Sequence, residues 1–142
     1  ADYSDLIKRI ENLKPDTPRV WGKMDVAQML KHSSEAMKMA LGDIKLKRSF
    51  MGRLIGGMIK KSFLSEKPFP KDSPTAPTLV IIDKREFEIE KAELLKLAKR
   101  LHDAGEKGAT DHPHSFFGHL TPKEWGETQW KHLDHHLRQF GV

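Results

Sequence analysis

Near its C-terminus the chain reads Trp130-Lys131-His132-Leu133-Asp134-His135-His136-Leu137-Arg138-Gln139, with three of its eight histidines inside five residues. His132 and His136 are four apart, so on a helix they stack one above the other on the same face. Two imidazoles placed that way can share one metal ion, and a third ligand from elsewhere would make a site. The chain has no cysteine, which excludes disulfides, thiolate ligands and a cysteine nucleophile. Any metal must then be held by His, Asp or Glu. The spacing is not the zincin signature, because Leu133 follows His132 where that motif needs its catalytic Glu.

Helical phase says which histidines face inward. With His132 at zero and about 100° per residue, Trp125 falls near ~20°, His136 near ~40°, Phe140 near ~80° and Leu133 near ~100°. His132 and His136 therefore lie at the edge of the apolar stripe that must face a core. His135 falls about 60° to the other side and is expected to be exposed or to sit behind the ligands. On an earlier helix His32 shares a face with Met29, Ala36, Met39 and Ala40, so it too points inward and is the natural third ligand. Three inward imidazoles would leave positions open on a divalent ion, as catalytic zinc sites do. The competing reading is three hydrogen-bonded core or surface histidines, although burying three without shared partners is costly. Glu35 and Gln139 are candidates for orienting an imidazole from behind. His112, His114 and His119 cluster in a loop, where surface histidines are common; His112 and His119 are candidates for a pocket rim.

The elements that must position these residues are punctuated clearly. Asp25 to Gln28 forms a capping box that opens a helix running to about Leu41, with Gly42 as its stop. Asp83 to Glu86 reads as a second capping box, for a helix ending near Ala104-Gly105. Thr121 to Glu124 is a third, with Pro122 at the first helical position, and its helix carries the histidines to Phe140-Gly141. A first helix covers roughly Ser4 to Leu13. Another covers Ser49 to Phe63, with Phe50, Met51, Leu54, Ile55, Met58 and Ile59 on a face expected to join the core. Leu79 to Ile82 is β-prone but isolated, and reads as extended chain packed on the helices. The expected architecture is all-α, a four-helix bundle forming one domain over residues 1–142. Two connections are long for a compact domain: 65–82, with Pro68, Pro70, Pro74 and Pro77, and 106–120. The prolines favour an ordered wrap over one end of the bundle.

With 37% apolar and 32% charged residues, the chain is expected to be globular and polar-surfaced, with no membrane span. It starts at Ala1 with no recognisable leader, which is compatible with a processed or truncated start and with a cytoplasmic location. The net charge of +5 is locally concentrated. Between Ile44 and Ser65 lie Lys45, Lys47, Arg48, Arg53, Lys60 and Lys61, with no acid. Such a patch can meet nucleic acid, anionic lipid or an acidic small molecule, but the plainer reading is a solvated helix face.

Trp21-Gly22-Lys23-Met24 followed by Gln28-Met29-Leu30-Lys31-His32 resembles the first ligand helix of the DinB-like (YfiT-like) superfamily, whose members are taken to be metal-dependent enzymes. The later segments His112-Pro113, Phe117-Gly118-His119-Leu120-Thr121, Glu124-Trp125 and His132-x3-His136-x2-Gln139 resemble its last helix and preceding loop. The similarity runs from about Trp21 to Gly141 and is closest to an uncharacterised branch. It implies a four-helix bundle with a three-histidine metal site at His32, His132 and His136, the residues that helical phase selects. It further implies relatives that transfer or isomerise with low-molecular-weight thiols, and frequent dimers.

The leading expectation is thus a metal-dependent enzyme for a small-molecule substrate. A Zn²⁺ or Ni²⁺ centre would activate a thiol or water for transfer or hydrolysis, with a low-molecular-weight thiol as a further cofactor. A homodimer is compatible with it. The alternative is a non-catalytic metal- or ligand-binding bundle, favoured if His112 or His119 closes the site as a fourth ligand. Binding to nucleic acid or a membrane surface through the basic helix ranks last, because the apolar face of that helix is needed for the core.

Overall fold

The computed structural model describes residues 2–71, 73 and 75–142, so Pro74 of the proline-rich connection lies outside the described residues. Those residues form five α-helices and no strand: α1 (Tyr3–Asn12), α2 (Val26–Ala40), α3 (Phe50–Phe63), α4 (Phe87–Ala104) and α5 (Pro122–Gln139). No helix among them is long and apolar enough to cross a membrane.

Local chemistry explains most of the boundaries. Asp25 and Gln28 form the reciprocal capping box that opens α2, and Thr121 and Glu124 form the one that opens α5. Asp2 caps α1, and Ser49 caps α3 by accepting the Gly52 N–H at 2.9 Å. The box expected at Asp83 does not form, and α4 starts at Phe87, behind Glu86. The Asp83 carboxylate pairs with Arg85, two residues on, at 2.9 Å, and its carbonyl accepts Gln28 Nε2 of α2 at 3.1 Å. The side chain a cap would use is thus committed to a local cation, and the backbone is tied to α2.

Four helices share the main core. α2 packs on α4 and α5, and α1 packs on the same two. Leu6 and Ile10 of α1 meet Met29, Leu30 and Met37 of α2, Leu94 and Leu97 of α4, and Leu133 and Leu137 of α5. Arg9 ties α1 to the end of α5 through Asp134 Oδ1 at 2.7 Å and the Val142 carbonyl at 2.9 Å.

α3 is not among these four, which corrects the expectation that its apolar face joins the core. Phe50 is 74% exposed, Leu54 64% and Met58 76%, and Met51 is exposed beside them. Gly52 and Gly56 are its buried residues, seated against the backbone of Phe116, where a Cβ on either would collide with the Phe116 carbonyl. Only a residue without a side chain permits that approach. Ile59 and Phe63 of α3 join a second cluster with Met39, Phe117, Leu120 and Trp125. The helix is thus held by its glycine side and its C-terminal turn.

The 65–82 connection is an ordered wrap in the residues described. Phe69 is buried and stacks on Phe63, with ring centroids 3.6 Å apart. Pro77–Leu79 makes one 3-10 turn, and Leu79 is buried where the chain crosses α2.

Candidate metal centre

α2 and α5 bring His32, His132 and His136 together. His132 Nε2 lies 3.0 Å from His32 Nε2 and 3.1 Å from His136 Nε2, and the three rings stand 4.6 to 4.9 Å apart, steeply inclined to one another. One ring nitrogen from each falls within 4.8 Å of the other two. His32 and His136 are buried and His132 is half-buried.

The hydrogen bonds behind the rings decide what these nitrogens offer. His32 Nδ1 is 2.7 Å from the Leu79 carbonyl, which can only accept, so Nδ1 carries the proton and Nε2 presents its lone pair. His136 Nδ1 is 2.9 Å from Gln139 Oε1, and the Gln139 amide donates from Nε2 to the Trp21 carbonyl at 2.9 Å. Because a carbonyl must receive the amide N–H, the oxygen end of Gln139 faces His136 and accepts from its Nδ1. Two lone pairs thus converge on His132. A neutral His132 can donate one proton to one of them, which leaves the other lone pair unmatched. That is the donor arrangement a divalent cation satisfies, with the second nitrogens of His32 and His136 tethered from behind as those of metal-bound histidines commonly are.

Electrostatics keeps the group neutral. Burial is the largest cause lowering the basicity of all three. His136 is pushed down to about 3, with His32 and His135 adding to burial and Gln139 opposing it. His132 falls well below the usual imidazole range, through burial and then its neighbours His136 and His32. Neutral imidazole is the form that ligates a metal, so protons compete little with a cation here at neutral pH.

The remaining candidates sit elsewhere. Glu35 is held by Lys31 at 2.7 Å and Lys38 at 3.3 Å, and its carboxylate is drawn into that surface cluster. His135 is half-buried, 5.2 Å from the His136 ring centroid and close to Trp21 and Phe69, outside the converging group. His112 bonds the Leu46 carbonyl at 3.1 Å, and the exposed His119 lends its carbonyl to Lys60. Neither belongs to the three-histidine group, so among the described residues no fourth histidine or carboxylate closes it. His114 organises its own loop, where its Nδ1 accepts the Phe116 and Phe117 N–H groups, both at 3.1 Å. Two surface depressions, one between α2 and α4 beside Lys38 and one beside His102 and Trp130, lie away from the three histidines.

Sequence reasoning missed the backbone contributors. The Leu79 and Trp21 carbonyls fix two tautomers, and Gly22 permits one of them. Gly22 has φ +88°, a left-handed conformation, and a Cβ there would strike Gln139 Nε2. The Trp21-Gly22 pair was visible as part of a motif, but the reason for the glycine is the passing amide.

Over residues 1–141 the chain matches a family described as protein of unknown function (DUF1569), and it belongs to that family. No curated protein and no solved structure matches it.

Proposed function

We propose that this DUF1569 protein is a metal-dependent enzyme in which His32, His132 and His136 hold one divalent ion, Zn²⁺ or Ni²⁺, to activate a thiol or water for transfer to, or hydrolysis of, a small molecule. The observation that carries the reading is the convergence of three Nε2 atoms whose outer nitrogens, at His32 and His136, are committed as donors to Leu79 and Gln139. When bound, such an ion supplies Lewis acidity that lowers the pKa of a thiol or water on an open position. The chain's own residues do the rest. Gln139 orients His136, and the Leu79 carbonyl orients His32. Three protein ligands with no fourth beside them among the described residues favour a catalytic over a closed structural site.

Two finer statements belong to the same proposal. The α1, α2, α4 and α5 core is read as a four-helix bundle with the His-bearing α2 and α5 as neighbours. That arrangement, with the ligand set, supports kinship with the DinB-like superfamily, and with it the use of a low-molecular-weight thiol. Fold-level kinship does not choose between transfer and hydrolysis.

The test is elemental analysis of protein purified without an affinity tag, alongside His32→Ala and His136→Ala. One equivalent of metal is expected in the parent, and strong depletion in both variants. Metal retained undiminished in both, or none in the parent even after incubation with Zn²⁺ or Ni²⁺, refutes the site.

A further inference from the structure

α3 turns its large apolar residues away from the protein. Phe50, Leu54 and Met58 follow one another at four-residue steps, Met51 flanks them, and all four are exposed, while the opposite side is fixed by Gly52 and Gly56 on the Phe116 backbone. The seat is firm: Ser49 N–H donates to the Ser115 carbonyl at 2.8 Å, and Lys60 bonds both the His119 carbonyl at 2.9 Å and Glu124 at 2.8 Å. A contiguous exposed apolar strip on an anchored helix marks an interaction surface.

Charge selects the occupant. Lys45, Lys47, Arg53 and Lys61 are exposed along this helix and its approach, and among the described residues none of them is in an ion pair. No acidic residue lies between Ile44 and Ser65. A second copy meeting this face about a two-fold axis would set like charges against each other, with no acid in the stretch from Ile44 to Ser65 to offset them. Nucleic acid would engage the cations and leave the Phe50, Leu54 and Met58 strip in water. An anionic bilayer surface accepts both, taking the apolar strip at the headgroup–acyl boundary and the lysines and arginine among the headgroups.

We infer that α3 is an interfacial helix that docks this protein, lying flat, on anionic lipid membranes. The inference is independent of the metal reading. The docking leaves the three-histidine group on α2 and α5 within the protein, and it requires no helix to cross the bilayer.

The experiment is co-sedimentation of the full chain with vesicles of phosphatidylcholine alone and of phosphatidylcholine mixed with phosphatidylserine, across a salt series. Parent protein is expected to pellet with the anionic vesicles and to be released as salt rises. The double variant Leu54→Ser/Met58→Ser removes about half of the strip and is expected to weaken binding at least roughly tenfold. Arg53→Glu/Lys61→Glu should weaken it by a similar factor, while Ile89→Ser, at an exposed apolar residue of α4, should leave it unchanged. Met58→Trp supplies a gain-of-signal arm, with emission shifting to the blue on anionic vesicles relative to the parent. Circular dichroism verifies that each variant is folded. Three results overturn the inference: no recovery on anionic vesicles, equal recovery of parent and Leu54→Ser/Met58→Ser, or a concentration-dependent dimer that the same double variant dissolves without any vesicle binding.

Discussion

The α2–α5 seam and α3 are built from opposite uses of the same helical periodicity. In the seam, Met29, Leu133 and Leu137 are fully buried and the polar residues that share their faces, His32, His136 and Gln139, find partners in one another and in backbone carbonyls. In α3 Gly52 and Gly56 are inside and Phe50, Leu54 and Met58 are outside. An amphipathic pattern therefore establishes that a helix has two faces. Which face is covered depends on what the neighbouring backbone can approach, and at α3 the Phe116 carbonyl can approach only glycine.

The widest gap between the two regions should appear on truncating one leucine in each. Leu133→Ala opens a void at a residue with no exposure, in the core cluster that α5 shares with α1, α2 and α4, and should cost about 2–5 kcal/mol. Leu54→Ala removes a side chain that already stands in water and should stay within about 0.5 kcal/mol. Urea denaturation of the two variants checks both values. A loss at Leu54 approaching that at Leu133 would mean that α3 is packed in solution and that the contrast is false.

What was legible in the sequence divides along the same line. Capping boxes at Asp25 and Thr121 are local chemistry, and they place α2 and α5 to within a residue. The phase of His32, His132 and His136 follows from those starts, so the residues of the candidate site could be read from spacing alone. Asp83 failed as a cap because its carboxylate pairs with Arg85, a neighbour inside the same four residues, while its carbonyl is held by Gln28 of α2, a contact that local sequence does not announce. The Leu79 and Trp21 carbonyls have no signature, since every residue has a carbonyl. The Gly52 and Gly56 pair did carry a signal, four residues apart on one face, but the longer apolar run outweighed it.

Acid gives a second, smaller separation, through the loop that seats α3. His114 has its pKa lowered to about 4, first by burial and then by the charge of Arg48, and its Nδ1 must be unprotonated to accept the Phe116 and Phe117 N–H groups. In the unfolded chain the same imidazole titrates near its ordinary 6.5. Between those values the unfolded state holds the extra proton, so stability rises with pH. The contribution is complete above 6.5 and is lost as pH falls toward 4, up to about 3 kcal/mol. His114→Asn keeps an acceptor oxygen and removes the titration. Urea midpoints of metal-free protein across that range should fall more steeply for the parent than for the variant. Parallel curves would remove His114 from the acid response and assign all of it to the seam.

The smallest effect tests whether the seam's tethers act on the metal or merely fill space. Gln139 is buried, accepts from His136 Nδ1 and donates to the Trp21 carbonyl, and Gly22 exists in its left-handed conformation where that amide passes. Gln139→Leu preserves approximate volume and deletes both hydrogen bonds, so His136 loses the acceptor that holds its Nε2 lone pair toward His132. Losing such an outer partner weakens metal affinity by tenfold or more, about 1.4 kcal/mol at the lower bound. Competition for Zn²⁺ against a chromophoric chelator measures it directly. A folded Gln139→Leu with parental affinity would show that the Trp21-Gln139-His136 relay serves packing alone. The lone-pair convergence would then have to be maintained by the Leu79 carbonyl and by the rings themselves.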